Sequence, residues 1–101
     1  MSTAPDYTKA AQQRILRLAD LLAGHELAGL EPGAIAKAIG TSNSNVTRDL
    51  DNLRRAGWAE LHPGGKTWRL TPHVIELGRR YSAGLMQGRQ RLDDLERRYG
   101  L

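Results

Sequence analysis

Between Gly40 and Gly57 the chain carries a dense run of side chains that can donate and accept hydrogen bonds: Asn43, Ser44, Asn45, Thr47, Arg48, Asn52 and Arg55. Amides and hydroxyls do both, and a guanidinium offers a planar fork of donors. Such a set suits a polyanion that also displays fixed hydrogen-bonding edges. Duplex DNA is a partner of that kind, because cations and amides hold its phosphates while other side chains read base edges in the major groove. Asn can donate to and accept from adenine, and Ser and Thr adapt to several bases. Arg48 can take guanine in bidentate fashion, take a phosphate, or pair at the surface with Asp49 or Asp51.

These residues need a scaffold, and the segment supplies one. At about 100° of turn per residue, Val46, Leu50 and Leu53 share one sector and face a core, while Ser44, Arg48, Asp51, Asn52 and Arg55 point away. The spacing predicts a helix with a narrow apolar stripe and a broad polar face. Thr41 or Ser42 can cap its first turn, and Gly57 can adopt the left-handed conformation that ends it. Arg54 and Arg55, at the far end, can either reach phosphates or complement the negative helix terminus. The plainer reading of the same pattern is an amphipathic helix with a solvated face.

Upstream, residues 7–24 place Ile15, Leu18, Leu21 and Leu22 at helical spacing among strong helix formers, which predicts a first helix. Residues 25–30 read as a loop or a strand with a single bridge. Glu31 can cap a short second helix over 32–39, with Pro32 where its missing amide costs nothing. That helix buries Ile35 and Ile39 and stops at Gly40, so it and the next form a helix-turn-helix. Downstream the period changes: residues 58–61 and 67–70 read as two strands joined by a loop over 62–66. Lys66 and Arg69, with His62, then make a basic hairpin tip suited to a DNA backbone or minor groove. Trp58 and Trp68 are expected to pack in the core or on the hairpin and not to stack on bases.

Helix, optional strand, helix, helix and hairpin is the order of a winged helix. The run 31–78 resembles the DNA-binding module of IclR-type transcriptional regulators. The resemblance rests on Ile35, Ala36, Gly40, Ser44, Val46, Arg48, Leu50, Leu53, Gly57, Trp58, Leu70, Leu77 and Gly78. It implies a winged helix-turn-helix that binds DNA, with an Arg at position 48 in the reading helix. The fold expected is mainly α with a small β-hairpin: a domain over 1–71, with a polar tail at 1–6, followed by a long C-terminal helix over 72–101. Thr71 can cap that last helix, with Pro72 at its first position. Its apolar residues, from Val74 through Tyr99, follow a near-heptad seam too long to be buried on so small a domain. Leu85, Leu92, Leu95 and Tyr99 are therefore expected to pair with a second copy.

The 101 residues and net charge of +4 fit one basic domain, and the whole cationic excess lies after Gly40. Zero cysteines exclude disulfides, thiolate metal sites and cysteine nucleophiles. His25, His62 and His73 are scattered, and the serines have no His and Asp partners, so neither a metal site, a cofactor nor an enzyme is expected. No apolar run matches a membrane span or signal peptide, which makes the expected location cytoplasmic, in a bacterium or mobile element. No small-molecule effector domain is evident in this length. The expected function is sequence-specific binding of double-stranded DNA by a homodimeric transcriptional regulator, expected to act as a repressor. The alternative is a winged-helix module that binds proteins without reading DNA.

Overall fold

A computed structural model describes residues 4–101; the first three residues of the expected tail lie outside the described residues. The chain forms two compact units, Met1–Thr71 and Pro72–Leu101. The first holds helices α1 (Ala10–Leu22), α2 (Pro32–Ile39) and α3 (Asn43–Arg55), then strands β1 (Ala59–Leu61) and β2 (Trp68–Leu70).

Three apolar stripes meet in one core. Leu18 and Leu22 of α1, Ile35 and Ala36 of α2, and Val46, Leu50 and Leu53 of α3 are all buried, joined by Ala59 and Leu70 of the hairpin. Each large aliphatic side chain removed from water here contributes roughly 1.5–3 kcal/mol, so the spacing of these few residues sets how the helices pack. Ile39, expected in this core, is only half-buried. The first helix is shorter at both ends than 7–24, because nothing caps it at Lys9 and its carboxyl end unwinds at Ala23.

Two short elements need help at their ends. α2 starts on Pro32, and Glu31 occupies its cap position without a side-chain cap, contrary to the expected role. At its other end Gly40 turns left-handed with φ of 70°, where a Cβ would be strained, and the chain reverses directly into α3. Ser42, not Thr41, caps α3: its hydroxyl accepts from the Asn45 amide at 3.1 Å. Ser42→Ala should therefore cost about 1 kcal/mol of stability, within 0.5–2. A thermal melt against wild type checks this, and Thr41→Ala should cost less.

The strands pair antiparallel in the register Ala59↔Leu70, Glu60↔Arg69 and Leu61↔Trp68. Leu30 adds a single bridge on the other side of β2, exchanging two backbone hydrogen bonds of 2.9 Å with Trp68. Trp68 thus sits opposite Leu61 and not Trp58. Trp58 precedes β1, and its carbonyl accepts from the Thr71 amide, so the strand register does not set the two tryptophans directly opposite one another. Both indoles are half-buried.

The second unit is one helix, α4 (His73–Arg98), 26 residues long. At 1.5 Å per residue that is about 39 Å. It starts after Pro72 without a side-chain cap. Thr71, expected to cap it, donates its hydroxyl to the Gly57 carbonyl. No residue of α4 is buried, and Tyr81, Leu85, Met86, Leu92, Leu95 and Tyr99 are each at least half exposed.

Candidate nucleic-acid interface

The outward face of α3 is built around Arg48. Its side chain is exposed, and among the described residues its guanidinium has neither a hydrogen bond nor an ion pair. Both acids that could have neutralised it are engaged elsewhere. Asp51 accepts from Arg54 at 2.7 Å and from Arg55 at 2.9 Å, one carboxylate oxygen each. Those bonds, Arg54's first and Arg55's second, hold the Asp51 carboxyl below its ordinary value of 3.8. The clamp is thus complete above that pH and opens only as pH falls through the lower folded value.

Asp49 is not on the surface at all. It is the one buried charged residue among the described residues, and Arg14 of α1 grips it with a fork, Nε to Oδ2 at 2.6 Å and Nη2 to Oδ1 at 2.9 Å. Asp49 follows Val46 by three residues and precedes Leu53 by four, which turns it toward the core side of α3. The alternative in which Arg48 pairs at the surface with Asp49 or Asp51 is accordingly overturned.

The remaining polar residues divide into free and tethered groups. Asn43 and Ser44 are exposed at the amino end of α3. Asn45 donates from Nδ2 to the Thr41 hydroxyl at 2.9 Å, leaving its carbonyl oxygen uncommitted. Thr47 donates to the Asn43 carbonyl and Asn52 to the Arg48 carbonyl, both one turn back on the same helix. Each keeps an acceptor oxygen facing outward. Arg55 is held by Asp51 but stays largely exposed.

The hairpin tip departs from the basic wing that was expected. Lys66 is exposed and free of partners among the described residues. Arg69, however, lies opposite Glu60 in the ladder and bonds it at 3.1 Å, with a longer bond of 3.5 Å to the Glu26 carbonyl. The His62 ring is a structural clasp: Nδ1 accepts from the Gly64 amide at 3.3 Å, so Nε2 carries the proton and donates to the Leu27 carbonyl at 2.9 Å. Thr67 adds a bond to the Ala28 carbonyl. The wing is therefore fastened to the loop between α1 and α2 and, among the described residues, presents one free cation, Lys66.

Between α3 and the hairpin runs an open groove lined by Thr47, Asp51 and Arg54 on one side and Leu61 and Trp68 on the other. Leu61 and Trp68 share the hairpin face that buries Ala59 and Leu70, but lie farther toward the tip, where the core ends. A helix with an exposed polar face, a side groove and a fastened hairpin with a cationic tip complete the arrangement. The fold is a winged helix-turn-helix.

Solved structures share it. The Zalpha domain of PKZ from Carassius auratus, in complex with Z-DNA, is 28% identical, with a TM-score of 0.53 over 62% of this chain and all of that one. An ICLR transcriptional regulator from Silicibacter matches at 23% identity and a TM-score of 0.66 over 86% of this chain. A MepR mutant from S. aureus matches at 24% identity and a TM-score of 0.55 over 78% of this chain. This chain spans 35% of the ICLR regulator and 61% of MepR. No protein-family model and no curated protein matches the chain.

The residue that sequence reasoning missed is Arg14. It precedes Leu18 by four residues and Leu22 by eight, so it continues the buried stripe of α1, and a charge on such a stripe calls for a partner. Among the described residues, no group of His, Asp and Glu could hold a metal ion, and no helix is long and apolar enough to cross a membrane.

Proposed function

We propose that this chain binds double-stranded DNA and regulates transcription, with α3 in the major groove and the hairpin tip on the backbone. The observation that carries the reading is the exposed Arg48 guanidinium, unpaired among the described residues and set among the exposed polar side chains of Ser44, Thr47 and Asn52 and the half-buried Asn45. A helix that ties its other arginines to Asp51 while leaving this one free keeps a single planar fork for a bidentate acceptor such as guanine. Asn43, Ser44, Asn45 and Thr47 occupy the amino-terminal turns that enter the groove in helix-turn-helix proteins. Arg55 and Arg69, held by acids, supply charge at the edge of this surface, and Lys66 supplies it at the tip.

The chain acts, on this reading, as a homodimer joined through Leu85, Leu92 and Leu95 of α4 and Tyr99 just past its end, and blocks transcription by occupying an inverted-repeat site. The likeness to winged-helix regulators supports regulation as the role. The Zalpha likeness favours a second duplex geometry, since that relative is bound to Z-DNA.

Selection of bound fragments from a random duplex pool tests the proposal. Enrichment of an inverted repeat supports it; retention of no sequence above input refutes sequence-specific reading, and preference for a left-handed alternating duplex in a parallel arm moves the reading to Z-form DNA. Lys66→Ala should weaken all duplexes alike, flattening the slope of log affinity against log salt by about 0.9, the value for one phosphate contact. Anisotropy titrations at several salt concentrations check this.

A further inference from the structure

The buried fork between Arg14 and Asp49 is an unusual expense for a small core. Asp49 is 4% exposed, and its side chain and that of Arg14 are 6% and 16% exposed. Buried ion pairs are seldom the most stabilising occupants of a site, since apolar side chains of similar volume often do as well or better. Their best-attested use is to fix one register among several that an apolar seam would tolerate.

The seam here has that weakness. α3 contributes Val46, Leu50 and Leu53, and α1 contributes Leu18 and Leu22, a small aliphatic set that could pack after a modest roll or slide of one helix on the other. Aliphatic contacts are non-directional. The fork is not: two donors of Arg14 meet both oxygens of Asp49, a residue 35 positions away in sequence that lies between Val46 and Leu53 on the buried side of α3. Asp49 is also the immediate neighbour of Arg48. A roll of α3 that would misalign the fork would swing Arg48 and Thr47 by the same angle.

We infer that Arg14 and Asp49 are positioning residues, which set the roll of α3 on α1 and thereby aim Arg48 at its base. The inference rests on the duplex reading proposed above. Neither residue touches DNA.

The double variant Arg14→Met/Asp49→Leu, which replaces the pair by apolar side chains, tests this with two readouts. First, its melting temperature should equal or exceed that of wild type while the affinity ratio between selected and scrambled duplex falls at least tenfold. Second, amide exchange across 46–53 should quicken at least tenfold, with α2 unchanged. An unchanged ratio at preserved stability overturns the positioning role. If wild type binds no duplex, the reading in the previous section fails instead, and unchanged exchange across 46–53 would still overturn the positioning claim by itself. Should the double variant not fold, Arg14→Lys keeps the charge but lacks the fork, and the same two readouts decide: a lower ratio with quicker exchange supports the inference, and wild-type values overturn it.

Discussion

Arg48→Ala is expected to abolish most sequence preference while leaving the fold intact. The side chain is exposed and makes no bond within the protein among the described residues, so its removal leaves no buried group without a partner. Surface changes of that sort alter stability by at most about 0.5 kcal/mol. A bidentate arginine contact to guanine is worth roughly 1–3 kcal/mol of discrimination, or about 5- to 150-fold, against the wrong base. The expected result is thus a collapse of the ratio between selected and scrambled duplex at unchanged melting temperature. Arg48→Lys should recover part of the affinity and little of the discrimination, because an ammonium lacks the fork. Competition binding against a panel of single-base variants locates the position at which preference is lost.

The second large effect belongs to α4. Leu92→Glu should convert a dimer into a monomer and cut affinity for an inverted repeat by about 10²–10⁴, the gain that joining two binding modules brings. Leu92 is 57% exposed and Leu95 50%, on a helix that buries none of its residues. An unpartnered apolar seam of this length is the kind of surface that pairs with its own copy by two-fold symmetry. Affinity for a single half-site should scarcely change, since position 92 is remote in sequence from the reading helix. Sedimentation measures the oligomeric state, and half-site against full-site titration measures the affinity. A variant that stays dimeric assigns the pairing to another surface.

Most of the fold was legible because one physical signal, apolar spacing, set it. Val46, Leu50 and Leu53 at i, i+4 and i+7 marked α3, and all are buried. Pro32 and Gly40 bounded α2 at the residues where the helix starts and stops. The change to a two-residue period after Gly57 marked the hairpin, and each strand came out one residue shorter, at its amino end. The polar interactions were far less legible. Glu31 has the right chemistry for a cap and does not act as one, because capping depends on backbone geometry that residue type alone does not fix. The partner of Asp49 lies 35 residues away, on a helix whose roll is settled only once the core has packed. Arg69 read as part of a cationic wing, yet the strand register places it across from Glu60. His62 likewise reads as a surface charge and serves instead as a clasp between two loops. Charges therefore had to be counted after pairing: of the five basic residues between 41 and 70, Arg54, Arg55 and Arg69 are held by acids, leaving Arg48 and Lys66.

That short inventory of free cations makes the salt dependence of duplex binding the most direct test of the polar face of α3. Affinity of the wild-type chain for a random duplex, titrated across salt concentration, should fall along a straight line in log–log coordinates, with a slope of about −0.9 for each phosphate neutralised. Arg48 and Lys66 should each account for a resolvable part of it. An affinity that does not change with salt, or no duplex binding at low salt, would contradict the account and leave α3 as a merely hydrated surface.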